Sequence, residues 1–212
     1  MSNGGAVPPS LEAVGIECER GERVLFSGLS LSLRPGNLML IEGPNGSGKT
    51  SLLRILCGLA QPSGGVVRWC GADINQARDQ FRAELIYLGH NHGVKGDLTP
   101  YENLRIARDL ACAKQDVTLD EALDAVGLAG FADVPARTLS AGQRRRVALA
   151  RLLVTQVRLW VLDEPFTALD TRGVTLVERM LAGHLAQGGM AVVSTHHPVA
   201  VAEVDIVRLE LS

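Results

Sequence analysis

Leu38-Met39-Leu40-Ile41 is a continuous apolar run, the mark of a strand buried on both faces. It leads through Glu42 into Gly43-Pro44-Asn45-Gly46-Ser47-Gly48-Lys49-Thr50, and Ser51 to Leu59 then reads as a helix ending at Gly58. Strand, G-x-x-x-x-G-K-[ST] loop and helix in that order form a phosphate cradle, and such a unit belongs in an α/β fold. The glycines let backbone N–H groups turn inward around an anion, and the helix start adds the positive end of its dipole. Lys49 supplies a mobile point charge for β- and γ-phosphates, and the Thr50 hydroxyl is placed to ligate Mg²⁺. Only three Lys stand against 18 Arg, which makes this placement harder to assign to chance.

The rest of the chain agrees with that architecture. Leu11 to Leu33 alternates with period two, with strands at Val24–Phe26 and Leu29–Leu33. Val66–Cys70 and Leu85–Leu88 read as further strands. Pro100–Ala113, Leu119–Val126 and Ser140–Thr155 carry helical spacing. Strand Leu159–Leu162, helix Thr171–Gln187, and strands Met190–Ser194 and Ile206–Leu211 follow. Strand–helix alternation at both ends implies a mostly parallel sheet with a helical insertion between its halves. Residues 1–10 read as a loose Gly/Pro/Ser-rich arm, with neither the basic patch nor the apolar stretch of a signal peptide.

Composition narrows the function classes. At 212 residues the chain can bury a full core. A net charge of −2 lacks the basic excess of a protein living on nucleic-acid contacts. The longest apolar runs are four residues, against roughly 20 for a membrane span. Cys18, Cys57, Cys70 and Cys112 form no C-x-x-C pair and read as reduced thiols.

Two more strings carry chemistry. Leu159-Trp160-Val161-Leu162 ends in Asp163-Glu164, so a buried strand delivers two carboxylates to the sheet's carboxyl edge. There Asp163 can hold Mg²⁺ and Glu164 can polarise a water; an ordinary acidic turn stopped by Pro165 is the alternative. Leu139-Ser140-Ala141-Gly142-Gln143 opens the long helix. Ser140 and Gln143 are spaced as a capping box, and a free helix start also binds anions, so the same atoms could do either.

In this order, with Ala168-Leu169-Asp170 and His196 after Val192-Val193-Ser194-Thr195, the motifs make the chain resemble the ATP-binding cassette (ABC) ATPase family from Leu11 nearly to its end. The resemblance implies a P-loop cassette with a mostly parallel RecA-like sheet, an N-terminal antiparallel β-subdomain and an α-helical insert. It implies a single domain over 1–212, with core and β-subdomain at 11–88 and 157–212 and the helical subdomain at 89–156. ATP and Mg²⁺ follow as cofactors, held at 43–50 and Ser51. A head-to-tail dimer follows too, placing Ser140, Gly142 and Gln143 of one copy on the nucleotide of the other. Family analogy makes Glu164 the general base, sets His196 on the γ-phosphate, and has Asp170 couple the two sites.

Two positions depart from the family. Arg20 stands where an aromatic usually stacks on adenine, and a guanidinium plane can stack instead. His90 replaces the Q-loop glutamine, and a neutral imidazole can likewise ligate a metal or orient water. Within the family the chain looks most like the ATPase subunit of the heme exporter of cytochrome c maturation. That closer match rests on Cys18-Glu19-Arg20, Leu25-Phe26-Ser27-Gly28-Leu29-Ser30, His90, Leu139 to Arg151, Leu162 to Ala168 and Gly188-Gly189. It implies integral membrane partners, indirect service to a heme chaperone, a peripheral place on the cytoplasmic face of the bacterial inner membrane, and no nucleic acid. The polar loop at His90 and His92 offers no apolar slot for heme. The alternatives are a lipid, peptide or lipoprotein transporter on the same cassette, and a soluble ABC ATPase.

Overall fold

The computed structural model describes residues 10–21, 23–90, 93–111, 114, 116–201 and 204–212. Residues 1–9 of the arm expected over 1–10, Cys112, His92 and the expected helix end at Ala113 lie outside the described residues. Strands β1 (Leu11–Arg20), β2 (Arg23–Leu33), β4 (Gly64–Trp69) and β5 (Ala72–Asp73) form an antiparallel sheet in the order β2-β1-β4-β5. Strands β3 (Asn37–Glu42), β6 (Leu85–Leu88), β7 (Leu159–Asp163), β8 (Met190–Ser194) and β9 (Asp205–Glu210) form a second sheet, parallel throughout, in the order β6-β7-β8-β3-β9.

Helices α1 (Lys49–Leu56), α2 (Arg78–Ala83) and α6 (Thr171–Ala186) accompany the sheets; α3 (Pro100–Leu110), α4 (Leu119–Ala125) and α5 (Ala141–Val154) form the inserted group. The parallel strands are apolar on both faces for a visible reason. Met39, Ile41, Leu159 and Val161 pack into a core with α1 and the antiparallel sheet, whereas Leu38, Leu40, Trp160 and Leu162 pack into another with α6. A third core joins α3, α4 and α5 through Leu104, Leu123, Val126, Val147 and Ala150. α5 serves two of them, because Leu149 and Leu152 face the parallel sheet.

Three readings shift. β2 is one strand where two short ones, Val24–Phe26 and Leu29–Leu33, are expected, because bulges in its pairing with β1 break the alternation, with Gly28 at φ 67°. α1 begins at Lys49, two residues earlier than expected, with Gly48 as a left-handed N-cap at φ 101°. β5 and α2 carry no readable pattern: they have two and six residues, and α2 buries only Phe81. Cys18, Cys57 and Cys70 are free thiols, and burial pushes the Cys57 thiol up.

Candidate functional site

The order β6-β7-β8-β3 sets the carboxyl ends of four parallel strands side by side, the edge where open α/β sheets bind ligands. The glycine loop leaves β3, Asp163 ends β7 opposite Ser194 at the end of β8, and His90 follows β6. Residues 43, 90, 163 and 194, far apart in sequence, thus meet along one edge.

The loop wraps closely. A Cβ on Gly43 would lie 2.2 Å from the Leu211 carbonyl oxygen and 2.8 Å from Ser47 Oγ, and φ is +144°. Lys49 is 8% exposed, and its Nζ donates to the carbonyls of Gly43 at 2.7 Å and Pro44 at 3.1 Å. The same Nζ lies 3.0 Å from His196 Nε2, which accepts in the neutral tautomer that leaves this nitrogen bare. Ser47 Oγ is buried with no hydrogen-bond partner. A buried hydroxyl without a partner, in a glycine loop that leads into a helix start and its lysine, fits a phosphate group.

Thr50 Oγ1 donates to Asp163 Oδ2 at 2.8 Å, and Ser194 Oγ donates to Asp163 Oδ1 at 2.6 Å. The Asp163 carboxylate is held by two hydroxyls and is 2% exposed. A hydroxyl and a carboxylate oxygen in contact, next to a phosphate cradle, are the hard oxygen donors Mg²⁺ takes alongside phosphate oxygens and waters. Among the described residues no group of three or more His, Cys, Asp and Glu gathers as a metal site, so His90 joins no such cluster. Glu164 has φ 50°, the left-handed region for a non-glycine residue, and its N–H reaches both Ser194 O at 3.0 Å and Ser194 Oγ at 3.1 Å. That turn brings Glu164 Oε1 to 3.5 Å from His196 Nε2.

An open cleft of about 990 Å³ unites these groups. Asn45, Gly46, Gly48, Lys49, Thr50 and Ser51 line one side and Asp163, Glu164 and His196 the other. His90 is exposed at its wall, and Arg20, Arg23 and Leu25 line it as well. Arg20 and Arg23 face each other across the β1–β2 pairing, so the position expected to stack on a base has a second guanidinium beside it.

Ser140, Gly142, Gln143 and Asp170 do not line this cleft. Ser140 and Gln143 make the capping box in full: Gln143 N donates to Ser140 Oγ at 3.2 Å, and Ser140 N to Gln143 Oε1 at 2.8 Å. Ser140 is exposed. A Cβ on Gly142 would lie 2.9 Å from the Ala168 carbonyl, so the helix start and the 168–170 loop touch closely. Asp170 caps α6 through Gly173 N at 2.9 Å and pairs with Arg146 at 2.7 Å. The cap bond and Arg146 hold its carboxyl below the usual range.

Sequence reasoning missed Ser194 as a holder of Asp163, and Arg145. Arg145 is 1% exposed and spans the carbonyls after β7. Its signal was available: a basic residue four and seven positions before Leu149 and Leu152 sits on an apolar stripe.

With this geometry in place, comparison with known proteins gives the following. The sequence profile "ABC transporter" matches residues 26–167. The "Cytochrome c biogenesis ATP-binding export protein CcmA" of Methylococcus capsulatus is 55% identical over 190 residues, covering 89% of this chain and 92% of that protein. The protein of the same description from Nitrosomonas europaea is 51% identical over 213 residues, covering 100% of both chains. Among solved structures, a dimeric ATP-binding cassette in a post-hydrolysis state, bound to ADP and Pi, has a TM-score of 0.78 at 24% identity and covers 95% of this chain and 96% of that one.

Proposed function

The chain belongs to the ABC transporter family, and on that premise we propose that it is the ATP-hydrolysing subunit of a membrane export complex serving c-type cytochrome biogenesis. One observation carries the catalytic half of this reading. Lys49, Thr50, Asp163, Glu164 and His196 converge in one cleft, with Lys49 and Glu164 both reaching His196 Nε2, at 3.0 and 3.5 Å. The cytochrome half rests on relatives of that description at 55% and 51% identity, matched over nearly their whole length.

Each residue then has a task. The backbone N–H groups of Gly43 and of residues 45–48, with Ser47 Oγ, receive the phosphates, Pro44 having no N–H to offer, and Ser51 borders them. Lys49 leaves the Gly43 and Pro44 carbonyls for the β- and γ-phosphate oxygens. Thr50 and Asp163 would hold Mg²⁺, together with His90 from the cleft wall. When bound, the ion neutralises charge on the phosphate oxygens. Glu164 accepts a proton from the attacking water, while His196 fixes that water and the γ-phosphate. Arg20, with Arg23 beside it, lies along the base.

Ser140, Gly142 and Gln143 stand clear of their own cleft, with Ser140 exposed and Gly142 and Gln143 half-buried, as residues offered to a second copy would. A head-to-tail dimer brings them to the partner's γ-phosphate, and Asp170 links the two sites. Residues 89–156 act as the helical subdomain that meets integral membrane subunits on the cytoplasmic face of the inner membrane, within a single cassette over 1–212. No described helix is long and apolar enough to cross a membrane. ATP closes the dimer and its loss reopens it, a population shift passed to the membrane partner. That shift drives heme export or release of the heme-loaded chaperone.

Steady-state phosphate release tests the enzyme: Lys49→Ala abolishes it, and Glu164→Gln slows it while ATP binding remains. Complementation tests the role. A strain lacking the gene loses c-type cytochromes and regains them with the wild type but not with Lys49→Ala. Normal cytochromes in that strain would overturn the export assignment, leaving the ATPase and a different transported substrate.

A further inference from the structure

Arg145 occupies an apolar stripe of α5, in register with Leu149 and Leu152. Among the described residues it heads the largest fully buried side chains, at 1% exposure. Burying a guanidinium costs heavily unless its donors are matched. Nε donates to the Pro165 carbonyl at 3.1 Å and Nη2 to those of Asp163, at 3.0 Å, and Glu164. Nη1 reaches the Gly89 carbonyl at 3.4 Å. Three consecutive carbonyls, from the last residue of β7 through Pro165, thus converge on one side chain of the inserted helical group, which also touches Gly89, the residue before His90. Burial pushes its pKa down to about 10, with Asp163 and Glu164 acting against that fall, so it is a cation at neutral pH.

The turn it holds is an unusual one. Glu164 sits at φ 50°, a conformation that persists only where the surroundings over-determine it. The backbone of Glu164 is fixed from one side by Ser194, through its N–H, and from the other by Arg145, through its carbonyl. The direction of the Glu164 carboxylate toward His196 follows from that clamp.

We propose that Arg145 is a positioning residue for hydrolysis: its guanidinium locks the 163–165 carbonyls so that Glu164 faces His196, and ties that geometry to the placement of α5 and of the loop after β6. The proposal rests on the ATPase reading above. Its consequence is that movement of the helical group against the sheet alters the aim of the base. Lysine cannot substitute, because one ammonium cannot span three carbonyls in a planar fork.

The test compares wild type, Arg145→Lys and Arg145→Gln, the last leaving no buried charge should the lysine variant fail to fold. ATP affinity, by displacement of a fluorescent ATP analogue, and thermal unfolding are measured alongside single-turnover hydrolysis. The expected result is a hydrolysis rate lower by about 10–100-fold with ATP affinity within about threefold, as for a reacting group misplaced by about 1 Å. In a Glu164→Gln background the same substitution has no further effect on the slow residual rate, because Arg145 acts through Glu164. Variants that fold and hydrolyse at the wild-type rate, effects that add in the double variant, or failure of both variants to fold would each overturn the positioning role. Wild-type turnover abolished by Lys49→Ala keeps the ATPase reading standing in all three of those cases; absence of wild-type turnover removes both.

Discussion

Ser194→Ala isolates the bond that aims the Asp163 carboxylate. Ser194 is fully buried, and its hydroxyl donates to Asp163 Oδ1 at 2.6 Å. It also accepts from Glu164 N at 3.1 Å, but that N–H keeps a second acceptor, the Ser194 carbonyl at 3.0 Å. The substitution therefore orphans no backbone donor. It removes one hydrogen bond to a carboxylate, while Thr50 still holds the other oxygen at 2.8 Å. A hydrogen bond to a charged group contributes about 1.5–3 kcal/mol, so a loss of about 2 kcal/mol is expected. In a chain of this size each kcal/mol shifts Tm by about 2–4 °C, giving a fall of about 4–8 °C. Circular dichroism melts without nucleotide measure it, and hydrolysis assays on the same preparation should show kcat falling more than KM rises. A Tm within about 1 °C of wild type, with kcat unchanged, would refute the claim that Ser194 fixes the carboxylate.

Burial pushes His184 down to about 4, with the bond to the Met190 carbonyl acting against the fall and Lys114 adding to it; the ring stacks on Trp160 at 4.0 Å. Its folded pKa lies below the unfolded value, so the unfolded chain takes up more protons as pH drops from about 6.5 toward 4, and folding stability falls by up to about 3 kcal/mol across that window. Urea titrations of wild type against His184→Gln should show the difference between them shrinking with acid, and a pH-independent difference would count against it. Gly43→Ala forces a Cβ to 2.2 Å from the Leu211 carbonyl, whereas a Cβ on Gly46 meets nothing within 4 Å. The first variant should lose about 1–3 kcal/mol to overpacking and the second less, with equal urea midpoints the contrary result. Ser140→Ala and Thr118→Ala each remove a capping-box hydroxyl and should each cost about 1 kcal/mol. Only Ser140→Ala should also stop ATP hydrolysis, and equal activities in the two would leave Ser140 a cap alone.

The strings that make up the candidate site were legible because their chemistry is local. A glycine loop between a doubly apolar strand and a helix can be recognised without knowing its neighbours, and so can two carboxylates at the end of Leu159–Leu162. The parallel sheet was legible for the same reason, since period and apolar runs report burial directly. Illegible were the weak elements: β5 and α2 are too short to show a period, and the bulges in β2 disguise one long strand as the fragments Val24–Phe26 and Leu29–Leu33.

The sequence by itself determined which residues could bind phosphate and which strands would be buried, since those properties reside in side-chain type and spacing along a few consecutive positions. Only the tertiary structure decided that β6, β7, β8 and β3 would lie edge to edge, bringing Ser194 onto Asp163 and Lys49 onto His196. It also turned Arg145 from one of three adjacent arginines into the buried clamp on Glu164. Register between strands and the placement of α5 on the sheet are set by long-range packing, and no window of sequence contains both partners of such a contact.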